Sequence, residues 1–343
     1  MASGSTKAVY YAICANSVLT VAKFVGFVFS GSASMLSEAI HSATDTANQG
    51  LLALGIHRSQ KDASEDHPYG HGRERYVWAL ISAVGIFFLG SGLTLYHGVQ
   101  GLVHPHTPDH IGLALGIFGF AALLEGFTLW VAIKEIKIVA AEEGMGFKEY
   151  VRSGSDPMAV AVLLEDGAAE VGVVLAAGCL GMAQYTGNPR WDAVGSVVVG
   201  LLLAFVAIFL ILRSGEMLIG KSAPEPVRKQ LEKVLADSPV VDSTSEVRAI
   251  VQGADDLRFK VEVDFNGEEL SRRYLATLAE SEPERLARWV EICGTEAALS
   301  QMLGEFSEEL MHFLGTEVDE LERKIRLAVP KAKHIDIEVD AGE

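Results

Sequence analysis

Cysteine is scarce and scattered in this 343-residue chain, which has three, Cys14, Cys179 and Cys293. Their odd number and wide spacing exclude a disulfide framework and a CxxC zinc knuckle. Basic residues are also few, 28 Lys and Arg against 45 Asp and Glu, and neither half of the chain has an excess of them. A nucleic-acid-binding face needs such an excess, so no nucleic-acid partner is expected. Catalytic signatures are missing as well. There is no HExxH, no phosphate-cradling loop and no nucleophile-base set, which argues against an enzyme. Six small and polar residues precede the first apolar run and no cleavage site follows it, so neither a secretory signal nor a transit peptide is expected.

Charge of either sign is sparse in the first part of the chain. Residues 1–220 hold 12 basic and 18 acidic side chains, and residues 221–343 hold 16 and 27. The formal net charge of −17 therefore divides into −6 and −11. A hydrophobic fraction of 49% and a mean hydropathy of +0.26 accompany that charge. This segregation predicts a membrane domain over 1–220 and a soluble domain over 221–343.

Six apolar runs, near 8–30, 34–56, 77–103, 111–133, 158–183 and 191–212, are each long enough for the ~20 residues that a bilayer requires. With the N-terminus in the cytoplasm, the inner loops take Lys7, Arg58, Lys61, Arg73, Arg75, Lys134, Lys137, Lys148, Arg152, Arg213 and Lys221. The outer loops take Arg190 alone. That asymmetry predicts six spans with both termini on the cytoplasmic side.

Lys23, Glu38, His41, Asp45, Glu125, Glu165, Asp166 and Glu170 lie inside these runs. An ionisable residue at a helix centre costs about 2.5–3.5 kcal/mol on insertion scales, which makes each one a functional candidate. Lys23 and Glu125 also suit a structural ion pair. Glu38, His41 and Asp45, spaced i, i+3 and i+7, fall within about 60° on one helix face. Asp166 and Glu170 are one turn apart on the fifth helix, and Glu165 points about 100° away. Carboxylates from two helices and one imidazole supply the N/O ligands of a divalent transition metal, with the imidazole favouring zinc or its neighbours. A proton relay without metal uses the same residue types.

The run from Ser30 to Asp45, with its HSxxD, and the loop His67-Pro68-Tyr69-Gly70-His71-Gly72-Arg73 resemble the cation diffusion facilitator family. Leu163-Leu164-Glu165-Asp166, Thr186-Gly187-Asn188-Pro189, Arg258 to Phe265 and Leu314 to Asp319 are similar to its zinc transporter 9 branch, which includes bacterial members. The resemblance covers essentially the whole chain. It implies a six-helix metal/proton antiporter with a ferredoxin-like cytoplasmic domain, usually a homodimer. His41 and Asp45 match the second-helix ligand pair and Asp166 the Asp of the fifth-helix HxxxD, but Val162 stands where that motif has its histidine. The expected metal set is His41, Asp45 and Asp166, completed by Glu170, Glu165 or water, with Glu38 nearby. With antiparallel helices, Val162 is expected level with Asp45, Asp166 with His41, and Glu170 with Glu38. His67 and His71 match a loop that the family often uses for a weaker second metal site, and a polar connector is the alternative. His104, His106, Asp109 and His110 form either a metal-gathering mouth or a solvated loop.

In the soluble part, Pro224 and Pro226 mark a helix over 225–236. Alternation predicts strands at 245–251, 257–265 and 334–339, with a turn at 253–256. A period of three and four predicts a helix over 296–328 with one buried stripe from Leu299 to Ile325. The order helix-strand-strand-helix-strand makes this an α+β domain, with an added helical segment over 267–294. Only His312, His334 and Cys293 offer softer ligands there, so metal sensing in the tail is weak. The expected function is export of zinc, or a similar divalent cation, against protons. The alternative is a metal-responsive membrane scaffold working through its acidic tail. The expected location is a bacterial inner membrane, with a mitochondrial membrane as the alternative. The lipid bilayer and a second copy of the chain complete the expected partners.

Overall fold

A computed structural model describes residues 2–142, 144–154, 157–253, 255–292 and 296–340. Cys293, Ala254 of the expected turn, and the side chains of Lys7 and Cys14 lie outside the described residues. The chain divides into two compact units, Met1–Lys221 and Ser222–Glu343.

The first unit is helical. Its elements are α1 (Ala2–Ser30), α2 (Ala33–Ser59), α3 (Glu74–Gly85), a π-helical segment (Ile86–Gly92), α4 (Leu93–Val103), α5 (Ile111–Glu142), the short α6 (Phe147–Ser153), α7 (Pro157–Thr186) and α8 (Arg190–Ile219). The rod Glu74–Val103, α5 and α8 are long and apolar enough to cross a membrane by length and composition alone. Asn16–Ser30 is a shorter apolar stretch. Of the remaining long helices, α2 is the least apolar, carrying Glu38, His41 and Asp45 among Ser, Thr, Asn and Gln, and α7 carries the second carboxylate cluster. Of the six expected spans, three therefore stand out by apolarity.

Local sequence explains the joints. Gly31 takes φ +61 between α1 and α2, a left-handed position that favours glycine, and its N–H donates to Phe27 O at 2.7 Å. Ser32 then caps α2, its hydroxyl accepting from Met35 N at 3.1 Å. The buried Arg213 of α8 donates to Arg152 O and Gly154 O, both at 2.6 Å, and so satisfies carbonyls at the end of α6. The bundle closes around Leu19, Met35, Phe118, Val173, Leu180 and Val199, with Ala114, Ala121 and Ala176 permitting close helix approach. Large apolar side chains also point outward, among them Phe24 and Val28 of α1, Leu123 and Phe127 of α5, and Phe205 and Leu212 of α8. Such a surface suits a hydrocarbon surround.

The second unit contains α9 (Glu225–Ala236), β1 (Val241–Gly253), β2 (Asp256–Phe265), α10 (Gly267–Ser281), α11 (Pro283–Ile292), α12 (Glu296–Ala328) and β3 (Ala332–Val339). Its sheet has the order β1-β2-β3, antiparallel between the first two strands and parallel between the last two. Alternation along β2 buries Leu257, Phe259, Val261 and Val263, while Arg258 pairs with Asp336 and Lys260 with Glu338 across β3. Leu231 and Leu235 of α9 and Leu321 and Ile325 of α12 are buried in the same unit. The stripe expected along α12 is buried only at that end, since Leu299 is 40% and Leu303 50% exposed. The added helices α10 and α11 explain the difference. Tyr274, Leu278 and Trp289 pack with Leu286, Met302, Phe306, Leu310 and Phe313 into a separate small core on the N-terminal half of α12.

Candidate metal centre

α2 packs against α1, α3, α7 and α8, so its polar stripe is enclosed by protein rather than lipid. Glu38, His41 and Asp45 are 0%, 1% and 6% exposed, which confirms the inward face that their spacing predicts. His41 Nε2 stands 3.3 Å from Asp45 Oδ2, and His41 Nδ1 stands 3.9 Å from Glu38 Oε1. Neither ring nitrogen has a hydrogen-bond partner, nor has Glu38 Oε1. An imidazole with two open nitrogens between two carboxylates is poised to take a proton or a cation.

Across from this stripe, α7 presents buried Glu165, within electrostatic reach of Asp45. Asp166 is partly buried and interacts with Asp45. The facing pairs His41/Asp45 and Glu165/Asp166 do not converge to one point. Among the described residues no group of three or more His, Cys, Asp or Glu side chains is gathered tightly enough to hold a metal ion.

The helix levels differ from expectation by about one turn. Val162 packs with Leu52, Ile56 and Ala79, beyond the end of the acidic stripe, rather than beside Asp45. Gly172 is the α7 residue that meets Glu38 and His41. The carboxylate of Glu170 lies over Gly126 of α5, 3.5 Å from where a Cβ on that glycine would be. Of the two expected fourth ligands, Glu165 is near Asp45 of α2 and Glu170 lies over Gly126 of α5.

Glu38 is itself committed elsewhere. Lys23 of α1, fully buried, donates to Glu38 Oε2 at 2.9 Å, to Ser42 Oγ at 3.0 Å and to Glu125 Oε1 of α5 at 2.7 Å. The expected ion pair at Lys23 is thus a three-helix junction beside the stripe.

Several residues escaped the sequence reading. Asn48 and Gln49 are buried and continue the stripe by another turn, a signal readable from the same periodicity. Asp192, 2% exposed at the start of α8, accepts from Ser32 Oγ at 2.7 Å, Ala33 N at 2.6 Å, Ser34 N at 3.3 Å and Ser34 Oγ. It is a second cap for α2, supplied by another helix. A further tie joins Ser37 Oγ to Ser196 Oγ. Nothing near Asp192 in sequence advertised a partner about 160 residues away.

In the loop after α2, the rings of His67 and His71 lie 4.3 Å apart between centroids, and His71 Nδ1 meets Glu74 Oε1 at 2.8 Å. His104 and His106 join His97 around a cavity of about 300 Å³ near the start of α2. His110 Nδ1 is 3.1 Å from Phe29 O.

Residues 9–219 match the cation efflux transmembrane domain. The proton-coupled zinc antiporter SLC30A9, mitochondrial, of Homo sapiens is 41% identical over 98% of this chain and 59% of its own length. Metal tolerance protein C4 of Arabidopsis thaliana is 42% identical over 97% of this chain and 73% of its own length. The magnetosome protein MamM of Paramagnetospirillum magneticum is 26% identical over 71% of this chain and 72% of its own. The chain spans less than two thirds of the human relative's length. The word mitochondrial in that relative's name goes against the bacterial inner membrane expected from sequence. The domain match and the strong likeness to these relatives establish that the chain is a multi-pass integral membrane protein of the cation efflux, or cation diffusion facilitator, family.

Proposed function

We propose that this chain is a secondary transporter that moves zinc, or a similar divalent transition-metal cation, in exchange for protons by alternating access. The observation that carries the reading is the buried His41, with both ring nitrogens open, between Glu38 and Asp45 and opposite Glu165 and Asp166. The ligand set we propose is His41, Asp45, Asp166 and Glu165, with Glu38 and Glu170 outside it. Because the ligands stand on two helices, a metal ion gains most from a conformation in which α2 and α7 draw together, which is the population shift a transporter uses. Imidazole and carboxylates bind metal only when deprotonated, so protons and metal compete for one site. The antiporter name of the human relative favours this reading over the scaffold alternative.

The same proposal includes six spans and both termini on the cytoplasmic side, supported by the distribution of Lys and Arg. It includes a ferredoxin-like reading of the second unit, a homodimer, and a weaker second site at His67 and His71. Reconstitution in liposomes tests it. An imposed proton gradient is expected to drive zinc uptake, and collapsing the gradient is expected to stop it. Zinc flux that ignores the gradient would make the protein a channel or uniporter instead.

A further inference from the structure

Lys23 has no part in a metal-ligand set, yet it is fully buried and makes three hydrogen bonds at the edge of the site. A buried ammonium is costly unless paired, and here it is paired twice, with Glu38 of α2 and Glu125 of α5. Its bond to Glu38 Oε2 has a geometric consequence. Only Glu38 Oε1 is left facing His41, and it lies 3.9 Å from Nδ1. On its other side Oε1 is 2.7 Å from where a Cβ on Gly172 would be, so α7 hems it in. Oε1 has no hydrogen-bond partner, but with Oε2 anchored by Lys23 and α7 on its other side the carboxylate is held at that distance from His41.

Resting on the transport reading above, the geometry points to Lys23 as a positioning residue that withholds Glu38 from the metal-ligand set and thereby keeps the site weak enough to release its ion. Binding that is too tight does not transport, because the ion must leave on the far side. Glu38 has the helical spacing of a ligand, one turn from His41, and the ammonium is what keeps it out. Glu125 shares the ammonium with Glu38 and so tunes the hold. Removing Glu125 leaves Lys23 to Glu38 alone, while removing Lys23 and Glu125 together frees Glu38 without changing the net charge of the junction.

The test uses the full-length purified chain, with zinc affinity from competition against a chromophoric chelator at fixed pH and zinc flux in liposomes. Lys23→Met combined with Glu125→Gln is expected to bind zinc about tenfold tighter or more, the gain of one charged ligand. Both KM and kcat for flux are expected to fall, as slow release dictates. Adding Glu38→Gln to that pair is expected to abolish the gain. Glu125→Gln alone is expected to act in the opposite direction and weaken binding about threefold. It keeps Lys23 paired, and so gives a result even if the double variant does not fold. A folded double variant with unchanged or weaker affinity overturns the proposal, as does tighter binding in Glu125→Gln. Tightening that survives Glu38→Gln also overturns it, because the added ligand would then be another group. If the unaltered chain binds zinc but moves none against a proton gradient, the transport reading fails, and the affinity changes still decide the role of Lys23.

Discussion

Gly172 on α7 lies directly against Glu38 on α2, and a Cβ at position 172 would stand 2.7 Å from Glu38 Oε1 and 3.7 Å from His41 Nδ1. Lys23 anchors that carboxylate, so it cannot step aside as a flexible surface side chain would. Gly172→Ala is therefore expected to push α7 from α2 and lower zinc flux by about tenfold or more, as displaced catalytic geometry does elsewhere. Gly178→Ala on the same helix is the control, since a Cβ there meets nothing within 4 Å. Equal flux in the two variants would show that the contact does not matter.

The facing of the α7 carboxylates separates two otherwise similar residues. Glu165 is within electrostatic reach of Asp45, while Glu170 lies over Gly126 of α5. Glu165→Ala is expected to weaken zinc binding by more than about tenfold and Glu170→Ala by less than about threefold. His41→Ala and Asp166→Ala are each expected to abolish uptake in liposomes. The reverse order of Glu165 and Glu170, read by chelator competition, would return the fourth ligand to the α5 side.

Asp192 gathers four donors from the first turn of α2. Asp192→Ala leaves those buried donors without their acceptor and is expected to cost about 2 kcal/mol or more. Thermal unfolding in detergent reads the loss. Asp192→Asn keeps one acceptor oxygen and is expected to lose less.

The small core of the second unit carries an alkaline signature. Tyr274 donates to Glu309 Oε2 at 2.8 Å, and burial together with that carboxylate pushes the phenol up to about 12. The unfolded phenol ionises near 10, so the unfolded chain loses its proton first as pH rises. The stabilisation is full below about pH 10 and disappears as pH climbs toward 12. Trp289 belongs to the same core and reports on it when Trp78, Trp130 and Trp191 are replaced by Phe. Tyr274→Phe is expected to remove this alkaline dependence. An unchanged profile would place the sensitivity in another group.

What was legible in the sequence follows from the range of the forces involved. The ends of α9 and α12 fell where Pro224 and Pro330 punctuate the chain, and β2 showed itself by strict alternation, all local signals. The inward face of Glu38, His41 and Asp45 was legible because helical phase is local too. The relative level of α2 and α7 was not, because the packing of Val162 on Leu52 and Ile56 sets it from more than a hundred residues away. For the same reason the spacing of Glu170 did not show that its carboxylate lies over Gly126 of α5. Lys23 announced a partner without naming it, and Asp192 announced nothing. The stripe on α12 was read as one continuous seam because its period does not reveal that α10 and α11 cover one half and the sheet side buries the other.

The ionisable side chains of α2 and α7 bear on how the protein enters its membrane. Each helix carries three ionisable side chains near its middle, and each such group opposes insertion by about 2.5–3.5 kcal/mol. Each helix is a poorer substrate for insertion than the helix beside it in sequence, α1 for α2 and α8 for α7. The joints supply the remedy: α2 follows the apolar Asn16–Ser30 stretch of α1 after Gly31 and Ser32, and α7 precedes the strongly apolar α8 by the three residues 187–189. Each polar helix is thus delivered as one arm of a hairpin whose other arm is greasy. The two helices that carry the proposed metal site arrive in the bilayer with separate escorts, one early in synthesis and one late, and the site we propose exists only once the second hairpin has found the first.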